Sequence, residues 1–221
     1  MHITVKNLLN INEKVKVKFN SNKNLLKQPE IIAVSKTFKM DHIMPVLNHG
    51  HVNFGENKVQ EALEKWTLVK NENKKIKLHL IGKLQTNKVK SALKLFDYIH
   101  SLDSEKLANK ISRIQKELNI NRKLFIQVNI GNEDQKSGIN EDYLEEFYDY
   151  CKSLNLNIIG LMCIPPFNED SSKYFKRMKY LKNKMGLKEI SMGMSSDYLE
   201  AIQYNATYLR IGTSIFGERT I

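Results

Sequence analysis

The sequence predicts a single (β/α)8 TIM barrel, formed by one domain over residues 1–221, with an extra N-terminal helix before its first strand. Short apolar segments alternate eight times with segments whose apolar residues recur at helical spacing. Strands that are apolar on both faces are typical of a parallel sheet covered by helices, and eight such units close a barrel. The alternative is an open doubly wound sheet, which usually contains fewer strands.

The first half of the chain supplies the extra helix and four strand–helix units. The helix is expected over residues 5–19, and the strands over 31–34, 51–57, 77–85 and 96–103. Asp41 is expected to cap one helix, and Asp103 or Ser104 another. The helices after the third and fourth strands carry apolar residues along one face, namely Val89, Ala92, Leu93 and Phe96, then Leu107, Ile111, Ile114 and Leu118.

The second half supplies the other four units, with strands expected over 123–131, 157–166, 189–195 and 207–217. Gly186 is expected at the C-terminal cap of the seventh helix, because glycine readily adopts the left-handed conformation found there. The apolar positions expected to face inward on these helices are Leu144, Phe147, Tyr148, Cys151, Leu154, Phe175, Met178, Met185, Leu199 and Ile202.

The composition narrows the classes of protein that the chain can represent. Its formal net charge is +11, but Lys and Asn are scattered and form no compact basic stripe, so nucleic acid is an alternative partner that we do not favour. Cys151 and Cys163 lie in separate predicted elements and form no metal-ligand pattern. The N-terminus lacks the features of a signal peptide, and no apolar run is long enough to span a bilayer. We expect a soluble cytoplasmic protein without a metal or a membrane partner.

Polar residues and glycines collect where the predicted strands end. In a TIM barrel these carboxyl ends meet on one face, which carries the chemistry. Most of these residues also suit turns and helix caps, but Lys36 and Arg210 are not preferred caps. We therefore expect both charges to point into the mouth of the barrel, side by side on its first and eighth strands.

The seventh and eighth strands end in small residues, GMSS and IGTS. Barrels commonly bind phosphate there with backbone N–H groups and hydroxyls. Together with Lys36, such a site indicates a phosphorylated aldehyde held as a Schiff base, because a partly desolvated lysine retains some neutral amine. Pyridoxal 5'-phosphate meets this description, with its aldehyde at Lys36, its phosphate at Ser195 and Thr213, and its ring nitrogen at Arg210.

A series of motifs in order along the chain resembles the YggS/PROSC family of pyridoxal phosphate homeostasis proteins. The motifs are AVSKT, FGEN, HLIGKLQTNK, KSG, GLMCIPP, SMGMSSD and RIGTSIFGER, between about residues 30 and 219. The resemblance implies a barrel like the N-terminal domain of alanine racemase. It also implies a cofactor-binding site that consists of Lys36, Asn57, Met194, Ser195, Arg210, Gly212 and Thr213.

The resemblance implies a role in pyridoxal phosphate homeostasis rather than major catalytic turnover. An arginine only donates hydrogen bonds, so it keeps the pyridine nitrogen unprotonated and the ring a poor electron sink. We also expect the C-terminal β-domain of alanine racemase, with its catalytic tyrosine, to be absent, because the chain ends just after the eighth strand. The expected protein is a monomer that supplies pyridoxal-phosphate-dependent apoenzymes. A minimal amino-acid racemase that uses Lys36 as its only base is the alternative.

Four further residues receive structural interpretations. Trp66 is expected in the core, and His79 is expected to be a hydrogen-bonded core or mouth histidine rather than a catalyst. Glu56 is expected to be a strand-end carboxylate paired with a neighbouring lysine, with a role as an acid or base as the alternative. Lys136, after the fifth strand, is expected to be solvated, with a second phosphate near the barrel mouth as the alternative.

Overall fold

The structure, a computed structural model, describes residues 1–133 and 135–218. Eight parallel strands pair in sequence order and close into a barrel, as predicted, and this excludes the open sheet. Arg219, at the end of the last resembling motif, lies outside the described residues. The strands are β1 Glu30–Val34, β2 Asn53–Glu56, β3 Lys77–Leu80, β4 Tyr98–Leu102, β5 Lys123–Val128, β6 Ile158–Cys163, β7 Glu189–Ser191 and β8 Tyr208–Ile211.

Helices cover the outside of the barrel. They are α1 Ile3–Asn20, α2 Met40–Asn48, α3 Val59–Glu72, α4 Val89–Leu95, α5 Glu105–Leu118, α6 Leu144–Ser153, α7 Ser171–Lys184, α8 Tyr198–Gln203 and α9 Thr213–Phe216, with short 3-10 turns at Thr86–Lys88 and Glu141–Tyr143. Ser104 caps α5 by accepting a hydrogen bond from the Leu107 backbone N–H. Gly186 follows the last turn of α7 with φ of +65°. Both ends therefore carry the predicted cap chemistry, whereas the prediction of Asp41 as a cap is wrong because α2 begins earlier, with Lys39 as its N-cap.

The predicted strands are longer than the observed ones except for the first, which is one residue shorter, and the eighth differs most. β8 ends at Ile211, and residues predicted to continue it form α9. Ile215 and Phe216 are buried there, so their apolar character is satisfied in a helix instead of a strand. Leu199, predicted to face inward, is 37% exposed, because Tyr198, Ala201 and Ile202 form the buried face of α8.

The extra N-terminal helix is an integral part of the fold. Leu8, Ile11 and Val15 recur at helical spacing and are buried, while α1 packs against α2, α8 and α9. The Asn7 side chain donates a hydrogen bond to the Ile215 carbonyl at 3.0 Å, which ties α1 to α9. Helix α1 thus covers the seam at which the two ends of the barrel meet.

The barrel interior contains histidine and tyrosine side chains as well as aliphatic ones. Ile32, Val34, Met162 and Tyr208 alternate along their strands with residues that face the helices, as barrel strands require. Among them His79 stacks on Tyr98 and His100 stacks on Phe125, each pair with ring centroids 4.2 Å apart. Both histidines are fully buried, and this burial lowers their pKa values well below the ordinary 6.5.

Two adjacent leucines test the role of α1. Leu8 is 2% exposed and Leu9 is 39% exposed. We expect Leu8→Ala to lower the free energy of unfolding by about 2–5 kcal/mol, because it leaves a cavity in the core. Leu9→Ala should change it by less than about 0.5 kcal/mol. Urea unfolding at pH 7 measures both, and equal effects of the two variants would contradict the packing of α1.

The buried histidines predict a loss of stability in mild acid. Below pH 6.5 the unfolded chain binds protons that His79 and His100 do not bind in the fold. The free energy of unfolding should therefore fall by about 1.4 kcal/mol per pH unit for each histidine as the pH decreases. Burial raises the pKa of Glu56. The contribution of Glu56 to the free energy of unfolding therefore increases as the pH decreases, opposite to that of the histidines.

A comparison of variants isolates the histidine contribution. His100→Gln should flatten the dependence of unfolding free energy on pH between 6.5 and 5, measured by urea unfolding. His49→Gln, at an exposed position, should keep the slope of the parent protein. A slope unchanged in His100→Gln would show that this imidazole does not stay neutral.

Candidate functional site

A cavity of about 270 Å³ opens at the carboxyl ends of the strands. It is lined by Val34, Lys36, Asn57, Ile81, Ile164, Met194, Ser195, Ser196, Arg210, Gly212 and Thr213. The structure thus brings together all seven residues that the sequence and the resemblance predicted. A larger depression of about 660 Å³ lies between the turn Thr86–Lys88 and α5, and it contains none of the seven predicted residues.

Lys36 follows β1 in a turn that is held on both sides. The next residue, Thr37, has φ of +70°, and its backbone N–H donates a hydrogen bond to the Glu61 carboxylate. The Lys65 ammonium donates hydrogen bonds to the carbonyls of Ser35 at 2.9 Å and Phe38 at 3.3 Å. Contacts from α3 therefore fix the backbone around Lys36.

A buried ion pair lies under this turn. The Glu56 side chain is fully buried, and its Oε1 lies 2.7 Å from the Lys65 Nζ. The same oxygen accepts hydrogen bonds from the Ser35 hydroxyl at 2.8 Å and the Trp66 indole N–H at 3.0 Å. Burial raises the pKa of Glu56, whereas Lys65 opposes that rise. The interpretations of Glu56 as a carboxylate paired with a lysine and of Trp66 as a core residue are confirmed.

Arg210 reaches the cavity from inside the barrel. Its residue is 4% exposed, and two of its nitrogens donate to the protein at 2.7 Å. Nη1 donates to the Ser191 hydroxyl, and Nη2 donates to the Cys163 carbonyl. Burial also raises the pKa of the Cys163 thiol to about 12, so this thiol is neutral at pH 7. The guanidinium is the charged group at the inner end of the cavity.

The segment after β7 turns sharply to place Met194 and Ser195 beside the end of β8. Gly193 has φ of +89°, and a Cβ there would lie 2.7 Å from the Ala201 side chain. The Met194 N–H donates to the Asp197 carboxylate at 2.6 Å, and the Ser214 N–H donates to the Ser195 hydroxyl at 3.4 Å. Ser195 and Thr213 consequently line the same cavity.

Several residues of the site were not found from the sequence. Val34, Ile81 and Ile164 form its apolar walls, and their positions at strand ends were the available signal. Gly82 supports Asn57, because a Cβ at Gly82 would lie only 2.4 Å from the Asn57 carbonyl oxygen. Asn57 is therefore positioned by a close approach between two backbones.

The other sequence-based expectations have clear outcomes. His79 contacts His100 and Asn53 at hydrogen-bond distance and is a core histidine. Lys136 forms an ion pair with Glu133 and donates to the Pro165 carbonyl at 3.2 Å, so it is half-buried and partnered rather than solvated.

Within residues 1–133 and 135–218, no cluster of three or more His, Cys, Asp or Glu side chains is arranged to hold a metal ion. None of the helices in the described part of the chain has the length and apolar character needed to cross a bilayer.

A lysine, a buried arginine and two hydroxyl residues at the mouth of a closed parallel barrel define a ligand-binding (β/α)8 protein. The family described as "Alanine racemase, N-terminal domain" matches residues 13–220. The pyridoxal phosphate homeostasis protein of Aquifex aeolicus is 38% identical over 200 residues, with 86% of this chain and 87% of that protein covered. The chain belongs to the pyridoxal phosphate homeostasis protein family, as its motifs indicated.

Solved structures agree with this assignment. PipY of Synechococcus elongatus PCC7942, in a structure described as having PLP bound, is 32% identical and superimposes with a TM-score of 0.83. The comparison covers 97% of this chain and all of PipY. Alanine racemase of Clostridium difficile 630 is only 16% identical, with a TM-score of 0.69. The comparison covers 93% of this chain and 57% of the racemase, so it shows a shared fold alone.

Loss of the lysine in the buried ion pair tests how the turn at Lys36 is held. We expect Lys65→Met to lower the free energy of unfolding by about 3–5 kcal/mol, because it leaves the Glu56 carboxylate unpaired. The double variant Lys65→Met/Glu56→Gln should recover part of this loss, since the amide oxygen still accepts from Ser35 and Trp66. Lys58→Met, at an exposed position on the same side of the barrel, is the control. Equal unfolding free energies for Lys65→Met and Lys58→Met in urea would contradict the ion pair.

Proposed function

We propose that the chain binds pyridoxal 5'-phosphate in this cavity and acts in pyridoxal phosphate homeostasis, with residues 1–221 forming a single binding domain. The observation that carries the proposal is the convergence of Lys36, Arg210 and the hydroxyls of Ser195 and Thr213 on one cavity. The bound PLP named for PipY and the names of the curated relatives support the same ligand.

The residues present fit this ligand chemically. When bound, pyridoxal phosphate supplies an aldehyde that a lysine amine can join covalently, and Lys36 is the amine in this proposal. Arg210 donates toward the ring nitrogen from the inner end of the cavity. Asn57 lines one side, while Met194, Ser195, Gly212 and Thr213 surround the phosphate. The volume of about 270 Å³ lies near the lower end of the range for small-ligand sites, as a compact ligand requires.

The same geometry favours holding the ligand over catalysing reactions with it. Arg210 can donate hydrogen bonds but cannot protonate the ring nitrogen, as its two donated bonds to protein oxygens illustrate. Catalysts that use this cofactor as an electron sink usually place a carboxylate at that nitrogen. The names of the curated relatives favour a homeostasis protein over the racemase alternative. We propose that Lys36 and the cavity shield the aldehyde and later release it.

The cellular setting is part of the same proposal. We place the protein in the cytoplasm as a monomer that passes its ligand to apoenzymes dependent on pyridoxal phosphate. Neither nucleic acid nor membrane is a partner in this scheme. Gel filtration with light scattering tests the monomer, and transfer of ligand to an added apoenzyme tests the recipient class.

Lys36 and Lys39 form a matched pair for the first test. With pyridoxal phosphate added, the parent protein should show a near-visible absorption band, and borohydride reduction should fix the ligand on the peptide that contains Lys36. Lys36→Ala should lose both the band and the adduct, since its side chain carries no amine. Lys39→Ala, at an exposed position after the same turn, should keep them.

Two outcomes would overturn the proposed function. One is an adduct spread over many surface lysines, with no selective loss in Lys36→Ala. The other is amino-acid racemisation by the purified protein that survives contaminant controls and disappears in Lys36→Ala. The second result would establish the racemase alternative.

A further inference from the structure

A continuous chain of side-chain hydrogen bonds runs from Arg210 through the barrel to the amino ends of the strands. The successive distances are 2.7 Å from Arg210 Nη1 to Ser191 Oγ, 3.0 Å from Ser191 Oγ to His100 Nδ1, 3.0 Å from His100 Nε2 to His79 Nδ1, 3.1 Å from His79 Nε2 to Asn53 Oδ1, and 3.1 Å from Asn53 Nδ2 to Glu30 Oε2. One end of the chain is a guanidinium and the other is a carboxylate.

At its Arg210 end, the chain begins with a group that can only donate, and this suits one direction of the hydrogen bonds. A guanidinium can only donate, so the Ser191 oxygen accepts and its own proton is free to be donated to His100. His100 Nδ1 then accepts, which places the proton of a neutral His100 on Nε2. That proton is donated to His79 Nδ1.

The Glu30 end requires the same direction independently. A carboxylate only accepts, so the Asn53 amide nitrogen faces Glu30 and the Asn53 carbonyl faces His79. His79 must therefore donate from Nε2 and accept at Nδ1. In the reversed chain, the Asn53 carbonyl would face the Glu30 carboxylate, and the Ser191 oxygen would accept from both Arg210 and His100, which leaves its own proton without a partner in the chain. The Glu30 carboxylate opposes that arrangement.

The environment keeps both histidines neutral. Their rings stack on Tyr98 and Phe125 and lie near Tyr208 without contact to solvent. The charged groups that act on them are cations, namely Arg210, Lys70, Lys77 and Lys123, while His51 lies at the same end of the barrel as Asn53. A second proton on either ring would also break the chain, because neither histidine could then accept.

We infer that His100 and His79 are positioning residues which, through Ser191, hold the Arg210 guanidinium in one orientation at the inner end of the ligand cavity. Ser191 accepts from Arg210 while it donates its own proton to His100, so the hydroxyl is oriented by both neighbours. Glu30, at the far end of the barrel, enforces this orientation through Asn53. The effect on ligand binding rests on the function proposed above, whereas the direction of the chain does not.

The first readout is the tautomer of each histidine in the ligand-free protein. Nitrogen-15 NMR at pH 7 should show both His79 and His100 as neutral rings protonated at Nε2. Imidazolium signals, Nδ1-protonated rings or averaging between two tautomers in the parent protein would overturn the inference. This readout stands even if the protein does not bind pyridoxal phosphate.

Two glutamates at the same end of the barrel provide a matched pair of variants. Glu30 and Glu189 both form ion pairs with Lys27, but only Glu30 belongs to the chain. In Glu30→Gln the amide at residue 30 can donate as well as accept, so both directions become possible. We expect mixed histidine tautomers and broadened Arg210 guanidinium signals in Glu30→Gln, and parent-like spectra in Glu189→Gln. Parent-like spectra in both variants would overturn the role of Glu30.

The ligand readout separates this inference from the proposed function. Affinity for pyridoxal phosphate should fall at least threefold in Glu30→Gln and stay within twofold in Glu189→Gln. In a Ser191→Ala background, Glu30→Gln should have no additional effect, because the link to Arg210 is already broken. A parent protein that binds ligand with equal affinity in both glutamate variants would contradict the inference. If the parent protein binds no pyridoxal phosphate, only the proposed function is contradicted. The Arg210 guanidinium signals then still test whether the histidines orient that side chain.

Discussion

The pairing of β1 with β8 is the constraint on which the rest of the structure depends. Glu30 is paired with Tyr208 and Ile32 with Arg210, so the first and last strands lie in register along their length. This closure brings Lys36 and Arg210, from opposite ends of the sequence, to neighbouring positions at the mouth. In an open sheet the same two strands would form opposite edges, and no cavity would contain both residues.

Buried charged side chains are stabilised in different ways on the two sides of the barrel wall. Outside the barrel, Glu56 and Lys65 form a pair whose hydrogen bonds hold the turn at Lys36. Inside it, the Arg210 guanidinium is satisfied by neutral acceptors, the Ser191 hydroxyl and the Cys163 carbonyl. Since an unpaired buried charge costs several kcal/mol, each arrangement specifies one geometry for its neighbours. The turn at Lys36 and the Arg210 guanidinium are thus fixed independently of each other.

The sequence predicted features that depend on local pattern or on convergence of strand ends. All eight strands and α1 were found from apolar periodicity, and the seven predicted residues line one cavity because parallel strands end on one face. Contacts between distant side chains had no such signal. The link between His79 and His100 depends on which residues face inward at neighbouring positions of two strands. Likewise α9 could not be told from a strand, because a short apolar run suits either element.

The packed interior of the barrel determines from which side a ligand reaches the cavity. Tyr98, Phe125, Met162 and Tyr208 fill the barrel beneath Arg210, so the cavity does not continue through the barrel to the amino ends of the strands. A ligand would therefore enter and leave on the side of the carboxyl ends. Binding and release of a ligand therefore use the same side of the barrel, and a recipient protein docked at the mouth would exclude a donor protein. In the function proposed above, uptake and release of the ligand would therefore follow one another at the same face of the barrel.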